Sequence, residues 1–137
     1  MGVPDVISVV LGSLLLVVLF GPSIMCAIRG VKGMNAAELR KRRKGADRKN
    51  LLILDVRSDG EFKSGHIREA HHLPLDRLSA GLPLLDRMKQ HEVVVVCASG
   101  KRSAVAAVRL KGAGFESVYN LKGGMFAWGG EDVVRGQ

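Results

Sequence analysis

Two apolar runs stand out in the middle of the chain, LLILDV at residues 51–56 and VVVVC at residues 93–97. Each is continuous rather than alternating, the pattern of a strand covered on both faces of a parallel sheet. Shorter strand patterns occur in AHHLPL (70–75) and SVYNL (117–121). Helical spacing separates them. Leu78, Leu82, Leu85 and Met88 recur every three or four positions, interrupted by Gly81 and Pro83. Ala104, Val105, Ala107 and Val108 share one face of a second segment, with Arg109 and Lys111 in its last turn and Gly112 past its end. Asn35-Ala-Ala-Glu38 reads as a capping box opening a short helix that ends near Gly45. Strands alternating with helices predict a small α/β domain whose central parallel sheet is flanked by helices.

The longest apolar run lies earlier. Residues 6–28, VISVVLGSLLLVVLFGPSIMCAI, contain no charged side chain. At about 1.5 Å per residue they would make roughly 35 Å of helix, against a hydrocarbon core of about 30 Å. The amino end lacks Lys and Arg and no A-x-A site follows, so a cleaved signal fits poorly. The expectation is one transmembrane helix with a kink at Pro22.

Charge refines this picture. The formal net charge is +8 over 137 residues. Residues 29–49 hold nine Lys/Arg against Glu38 and Asp47, whereas residues 50–137 are nearly balanced. This basic segment includes RKRRK, Arg40 to Lys44, and follows the apolar run. The positive-inside rule then predicts a single-pass protein of a bacterial inner membrane, amino terminus outside and domain in the cytoplasm, with the basic cluster and its helix near anionic lipid. No nucleic-acid partner is expected, because no aromatic platform accompanies the cluster. The predicted organisation is a tail at 1–5, a transmembrane helix at 6–28, a basic juxtamembrane segment with the first helix at 29–46, the domain proper at 47–133, and a tail at 134–137.

The two cysteines, Cys26 and Cys97, are too differently placed to pair, and unpaired thiols suit a reducing compartment. Cys26 reads as an apolar filler. Cys97 is different. It ends a predicted strand, where open α/β sheets bind ligands, and a helix begins near Ser103. The helix amino terminus favours an anion, Gly100 permits a turn of inward-facing N–H groups, and Lys101 and Arg102 add positive charge. All of this favours thiolate over thiol. Two chemistries use such a cradle, phosphoryl transfer and sulfur transfer. The tyrosine-phosphatase signature, Cys then five residues then Arg, is not met: that register holds Ser103, and Arg102 comes one place early. The shorter ring favours sulfur.

With LDVRSDGEFKSGHI (54–67), CASGKRS (97–103), LKGAGF (110–115) and NLKGGMFAW (120–128), the chain resembles the rhodanese family from about residue 35 to 128. The architecture looks like the single-domain, membrane-anchored rhodaneses of bacteria. The resemblance implies a sulfurtransferase of the thiosulfate type. Cys97 would be the nucleophile that carries a persulfide, and Ala98, Ser99, Gly100, Lys101 and Arg102 would cradle the sulfur. A small anionic donor such as thiosulfate and a thiol or cyanide acceptor are the expected partners, with no cofactor and no metal. Supporting roles fall to Asp55 as a partner of loop backbone, to Arg57 and Glu61 as an ion pair, and to Gly123 and Gly124 as points of close backbone approach. His66 reads as a structural imidazole. His71 and His72, adjacent on a strand, point to opposite faces and cannot share a metal. Glu69 stands where the family usually has glycine, which is expected to strain that turn. The alternatives are a non-catalytic docking module of the same fold and a small cysteine phosphatase or arsenate reductase.

Overall fold

The structure, a computed structural model, describes residues 5–136, without the side chains of Ser23, Cys26 and Ile28. The reading of Cys26 therefore lies outside the described residues. Five parallel strands form the sheet in the order β1-β6-β5-β2-β4: β1 (Lys32–Met34), β2 (Leu51–Asp55), β4 (His71–His72), β5 (Glu92–Val96) and β6 (Ser117–Leu121). A small antiparallel pair, β3 (His66–Ile67) and β7 (Val133–Val134), lies apart from it. The helices are α1 (Val6–Ile28), α2 (Ala36–Lys44), α3 (Asp59–Ser64), α4 (Leu78–Gly81), α5 (Lys101–Gly112) and α6 (Gly124–Trp128).

The apolar runs explain the layering. Successive side chains of β2 and β5 point to opposite faces, and both faces are buried. Leu52, Leu54, Val93 and Val95 pack with Leu78, Ala104, Ala107, Leu110 and Phe115 on one side. Ile53, Val94 and Val96 pack with Met34, Leu39, Ile67 and Trp128 on the other. The central sheet, its three longest strands and α5 follow the sequence pattern. The 78–88 segment, where Gly81 and Pro83 interrupt the helical spacing, divides into a 3-10 turn at Leu75–Arg77, the short α4, and a 3-10 stretch at Leu82–Met88.

The membrane expectation is corrected. Among the described residues, no helix is long and apolar enough to cross a membrane. The transmembrane span, the inner-membrane location and the orientation that depended on it are withdrawn. The far end of α1 lies against α5.

The basic segment is likewise part of the domain. Asn35 caps α2 by accepting from the Glu38 N–H at 2.8 Å, and Leu39 is fully buried. Arg40 donates to the Trp128 carbonyl, pairs with Glu131 at 3.3 Å and lies 4.4 Å from the Trp128 ring centroid. Arg42 pairs with Glu38 and Glu92, and Arg43 with Asp132. Three arginines expected to face lipid instead fasten α2 to the amino end of the central strand β5 and to the carboxyl-terminal turn. Cation–π contacts and ion pairs of this kind are each small, but they fix one docking geometry.

Candidate active site

The carboxyl ends of β2 and β5 meet at the centre of the sheet and carry the site. Val96 ends β5, the chain turns through residues 97–100, and α5 starts at Lys101. Gly100 makes that turn at φ 98°, in the left-handed region that glycine adopts without a Cβ clash. The turn brings its own N–H back to the cysteine: Gly100 N donates to Cys97 Sγ at 3.0 Å. Ser103, one turn into α5 and fully buried, places its hydroxyl 3.2 Å from the same sulfur.

Cys97 itself is fully buried. Burial alone pushes the thiol up. The Ser103 hydroxyl and the backbone N–H groups of Ser103, Gly100 and Ser99 outweigh it, and the net effect holds the thiol below its ordinary value. This is an environment suited to a sulfur anion, made chiefly of oriented dipoles rather than of full charges.

The two neighbouring cations differ. Arg102 gives both terminal nitrogens to Glu61, at 2.8 Å each. Lys101 is exposed and makes no ion pair among the described residues. A cleft of about 290 Å³ opens beside the loop, with Gly100, Lys101, Asn120 and Lys122 on one side and Leu19 and Pro22 of α1 on the other.

The expected Arg57–Glu61 pair does not form. Arg57 turns back instead onto Asp55 at the end of β2, at 2.7 Å, and donates to the Gly65 carbonyl at 2.7 Å. Both are buried, so their charges are satisfied by one another. Asp55 also accepts from the Arg57 backbone N–H at 3.0 Å. His66 makes a 2.8 Å bond between Nδ1 and the Phe62 carbonyl and stacks on the Phe62 ring, away from the sulfur's bonding partners. Gly124 does permit a close approach: a Cβ there would lie 2.2 Å from the Cys97 carbonyl oxygen. The two N–H groups that follow close the loop, Met125 N donating to Cys97 O at 2.8 Å and Phe126 N to Ala98 O at 3.1 Å. Gly123 precedes it at φ 73°. The turn at Glu69 has the conformation expected of a glycine, φ 70°.

Two residues of the site escaped the sequence reading. In the sequence Ser103 stands only where an arginine would complete the phosphatase signature, yet a hydroxyl six positions after a cysteine comes back onto it when a tight turn leads into a helix. Asn120, at the end of β6, accepts from the Ser103 hydroxyl at 2.6 Å and donates to the Gly100 carbonyl at 3.0 Å.

Residues 35–131 match the model of the rhodanese-like domain. A sulfurtransferase of Allochromatium vinosum is 35% identical over 83 residues, covering 61% of this chain and 76% of that protein. An uncharacterised protein of Synechocystis sp. is 37% identical over 78 residues, covering 57% of this chain and 42% of that protein, so the match spans less than half of that relative. Among solved structures, a rhodanese-like domain protein from Staphylococcus aureus superposes with a TM-score of 0.70 at 32% identity, over 78% of this chain and all of the other.

Proposed function

This chain belongs to the rhodanese-like domain family, and from that premise we propose that it is a thiosulfate-type sulfurtransferase in which Cys97 carries the transferred sulfur. Relatives named as sulfurtransferases support sulfur transfer in general. The observation that carries the finer reading is the set of polar groups converging on Cys97 Sγ, the donating N–H of Gly100 at 3.0 Å and the Ser103 hydroxyl at 3.2 Å, around a thiol held below its ordinary value.

The cycle follows from that geometry. The Cys97 thiolate attacks the outer sulfur of thiosulfate, forming an S–S bond while the donor's own S–S bond breaks and sulfite leaves with its electron pair. The outer sulfur now holds the negative charge and is stabilised by the loop N–H groups and the dipole of the twelve-residue α5. An acceptor thiolate or cyanide then attacks that outer sulfur, giving a persulfide or thiocyanate and returning the Cys97 thiolate. Lys101 and Lys122 flank the cleft beside the loop and suit a dianionic donor. Arg102, neutralised by Glu61, is assigned to shaping the loop. Because the resting sulfur has no exposed surface, uptake begins with local opening of residues 97–103.

The test is mass spectrometry of the intact chain after incubation with thiosulfate. Cys97 should gain the mass of one sulfur atom and lose it again to cyanide or a small thiol. Cys97→Ser should abolish both steps and Cys26→Ser neither. Hydrolysis of aryl phosphates without a persulfide would overturn the proposal in favour of a cysteine phosphatase, and inertness toward every donor would favour a docking module.

A further inference from the structure

With Cys97 as the thiol, the hydrogen bonds around Ser103 admit one arrangement of protons in which every partner is satisfied. The Gly100 carbonyl can only accept, so the Asn120 atom 3.0 Å from it is the amide nitrogen. The other Asn120 atom, Oδ1, can also only accept. The 2.6 Å bond between it and Ser103 therefore uses the single hydroxyl proton of Ser103. What remains on Ser103 Oγ are lone pairs. Across the 3.2 Å to Cys97, the hydroxyl oxygen accepts from the S–H of the thiol. In this arrangement Ser103 stabilises the protonated cysteine. To stabilise the anion, its hydroxyl must rotate from Asn120 to the sulfur and leave the amide oxygen without its donor.

We propose that Asn120 is a positioning residue that sets the reactivity of Cys97 by competing with the sulfur for the Ser103 hydroxyl proton. The competition has two settings. With the thiol, S–H points to Ser103 and O–H to Asn120. When the thiol proton passes to solvent, O–H turns to the sulfur. After sulfur uptake Cys97 Sγ is a neutral disulfane atom, the charge has moved to the outer sulfur, and the hydroxyl returns to Asn120. The amide thus restrains the resting nucleophile and releases it when an anion has formed. The second arm of the amide, on the Gly100 carbonyl, holds the same turn whose N–H donates to the sulfur. The charged groups around the sulfur are Lys101 and Arg102 on α5, Glu61 on α3 through Arg102, Asp55 on β2 and Lys122 after β6. A change at Asn120 alters none of them.

This inference rests on the sulfur-transfer reading for its purpose, but its test needs no sulfur donor. In the full chain carrying Cys26→Ser, the rate of iodoacetamide alkylation of Cys97 is followed against pH to give the thiol's titration midpoint. Asn120→Leu frees the Ser103 hydroxyl, and the midpoint should fall by about one pH unit, the tenfold change expected of one hydrogen bond to a charged group. Mere loosening of the turn would weaken the Gly100 N–H bond and move the midpoint up, so the sign separates the two. Asn120→Asp should raise it by at least as much, since a carboxylate holds the hydroxyl proton and repels the anion. In the Ser103→Ala background the effect of Asn120→Leu should shrink to less than about twofold, the signature of a residue acting through another. An unchanged midpoint in Asn120→Leu, a fall in Asn120→Asp, or an undiminished shift without Ser103 would overturn the proposal. If the midpoints shift as stated while no donor leaves a persulfide, the role of Asn120 stands and sulfur transfer falls.

Discussion

Arg102 and Glu61 meet through two parallel hydrogen bonds of 2.8 Å, one from each terminal guanidinium nitrogen to each carboxylate oxygen. The pair ties the first turn of α5, and with it the loop that holds Cys97, to α3. Glu61 has a second task there. It accepts from Ser58 in the capping box that opens α3, so one carboxylate orders both the helix start and the loop.

Glu61→Gln is expected to lower stability at neutral pH by about 1 kcal/mol, a modest figure because both side chains are more than a third exposed. The Arg102 guanidinium holds the Glu61 carboxyl down to about 2, from an ordinary 4.5, against the opposing effect of burial and with help from Ser58. A depressed carboxylate contributes its stability above the unfolded value and loses it as pH falls through the folded one. The gap in urea midpoint between the parent and Glu61→Gln should therefore be full at pH 7 and close between about pH 4.5 and pH 2. A gap that stays constant over that range would show that the charge of Glu61 is not what it contributes.

The buried pair behaves differently. Arg57→Met leaves the Asp55 carboxylate with no counter-charge at a position that is 0% exposed, and should cost about 3–5 kcal/mol in urea unfolding. Converting Asp55 to Asn in the same chain should recover part of the loss, because the penalty lies in the stranded charge. A double variant that is worse by the sum of both single changes would contradict this.

Glu69→Gly should raise the unfolding midpoint, by about 0.5–1 kcal/mol. Relief of the left-handed conformation at φ 70° is worth about 1–2 kcal/mol, offset by the greater freedom of glycine in the unfolded chain. Glu69→Ala should give no comparable gain, since alanine keeps the Cβ. Equal stabilisation by both would place the strain elsewhere.

The parts of the fold legible in the sequence were those with local signals. β2 and β5 announce themselves by apolar runs, β6 by a shorter strand pattern, and α5 by its spacing, its glycine turn and its basic last turn. β1 carried no such signal. Lys32-Gly33-Met34 becomes a strand because Tyr119, Asn120 and Leu121 pair with it from the far end of the chain. The arginines of α2 were misread for the same reason. Glu92, Glu131 and Asp132, which neutralise them, are distant in sequence, so the cluster looked like free charge. Arg57 and Glu61 are four apart and looked like partners, but each finds a nearer oxygen or nitrogen through the fold. The turn that carries Gly100 N–H back to the Cys97 sulfur was legible from the loop alone. Ser103 and Asn120 were not, because a bond spanning seventeen positions has no periodicity to reveal it.

The wall that Gly124 forms against the Cys97 carbonyl has a consequence for how the protein is made. Cys97 leaves the ribosome well before Asn120, Gly124, Met125 and Phe126, the residues that hold its loop shut, and β1 must wait equally for β6. A nascent chain that has reached only the end of α5 displays the cysteine on an unfinished sheet. Its thiol then lacks the enclosure those residues provide and is open to oxidants or stray electrophiles. The sulfur's enclosed setting needs residues 120–126, so translation that pauses before residue 120 is expected to leave this thiol at its most vulnerable.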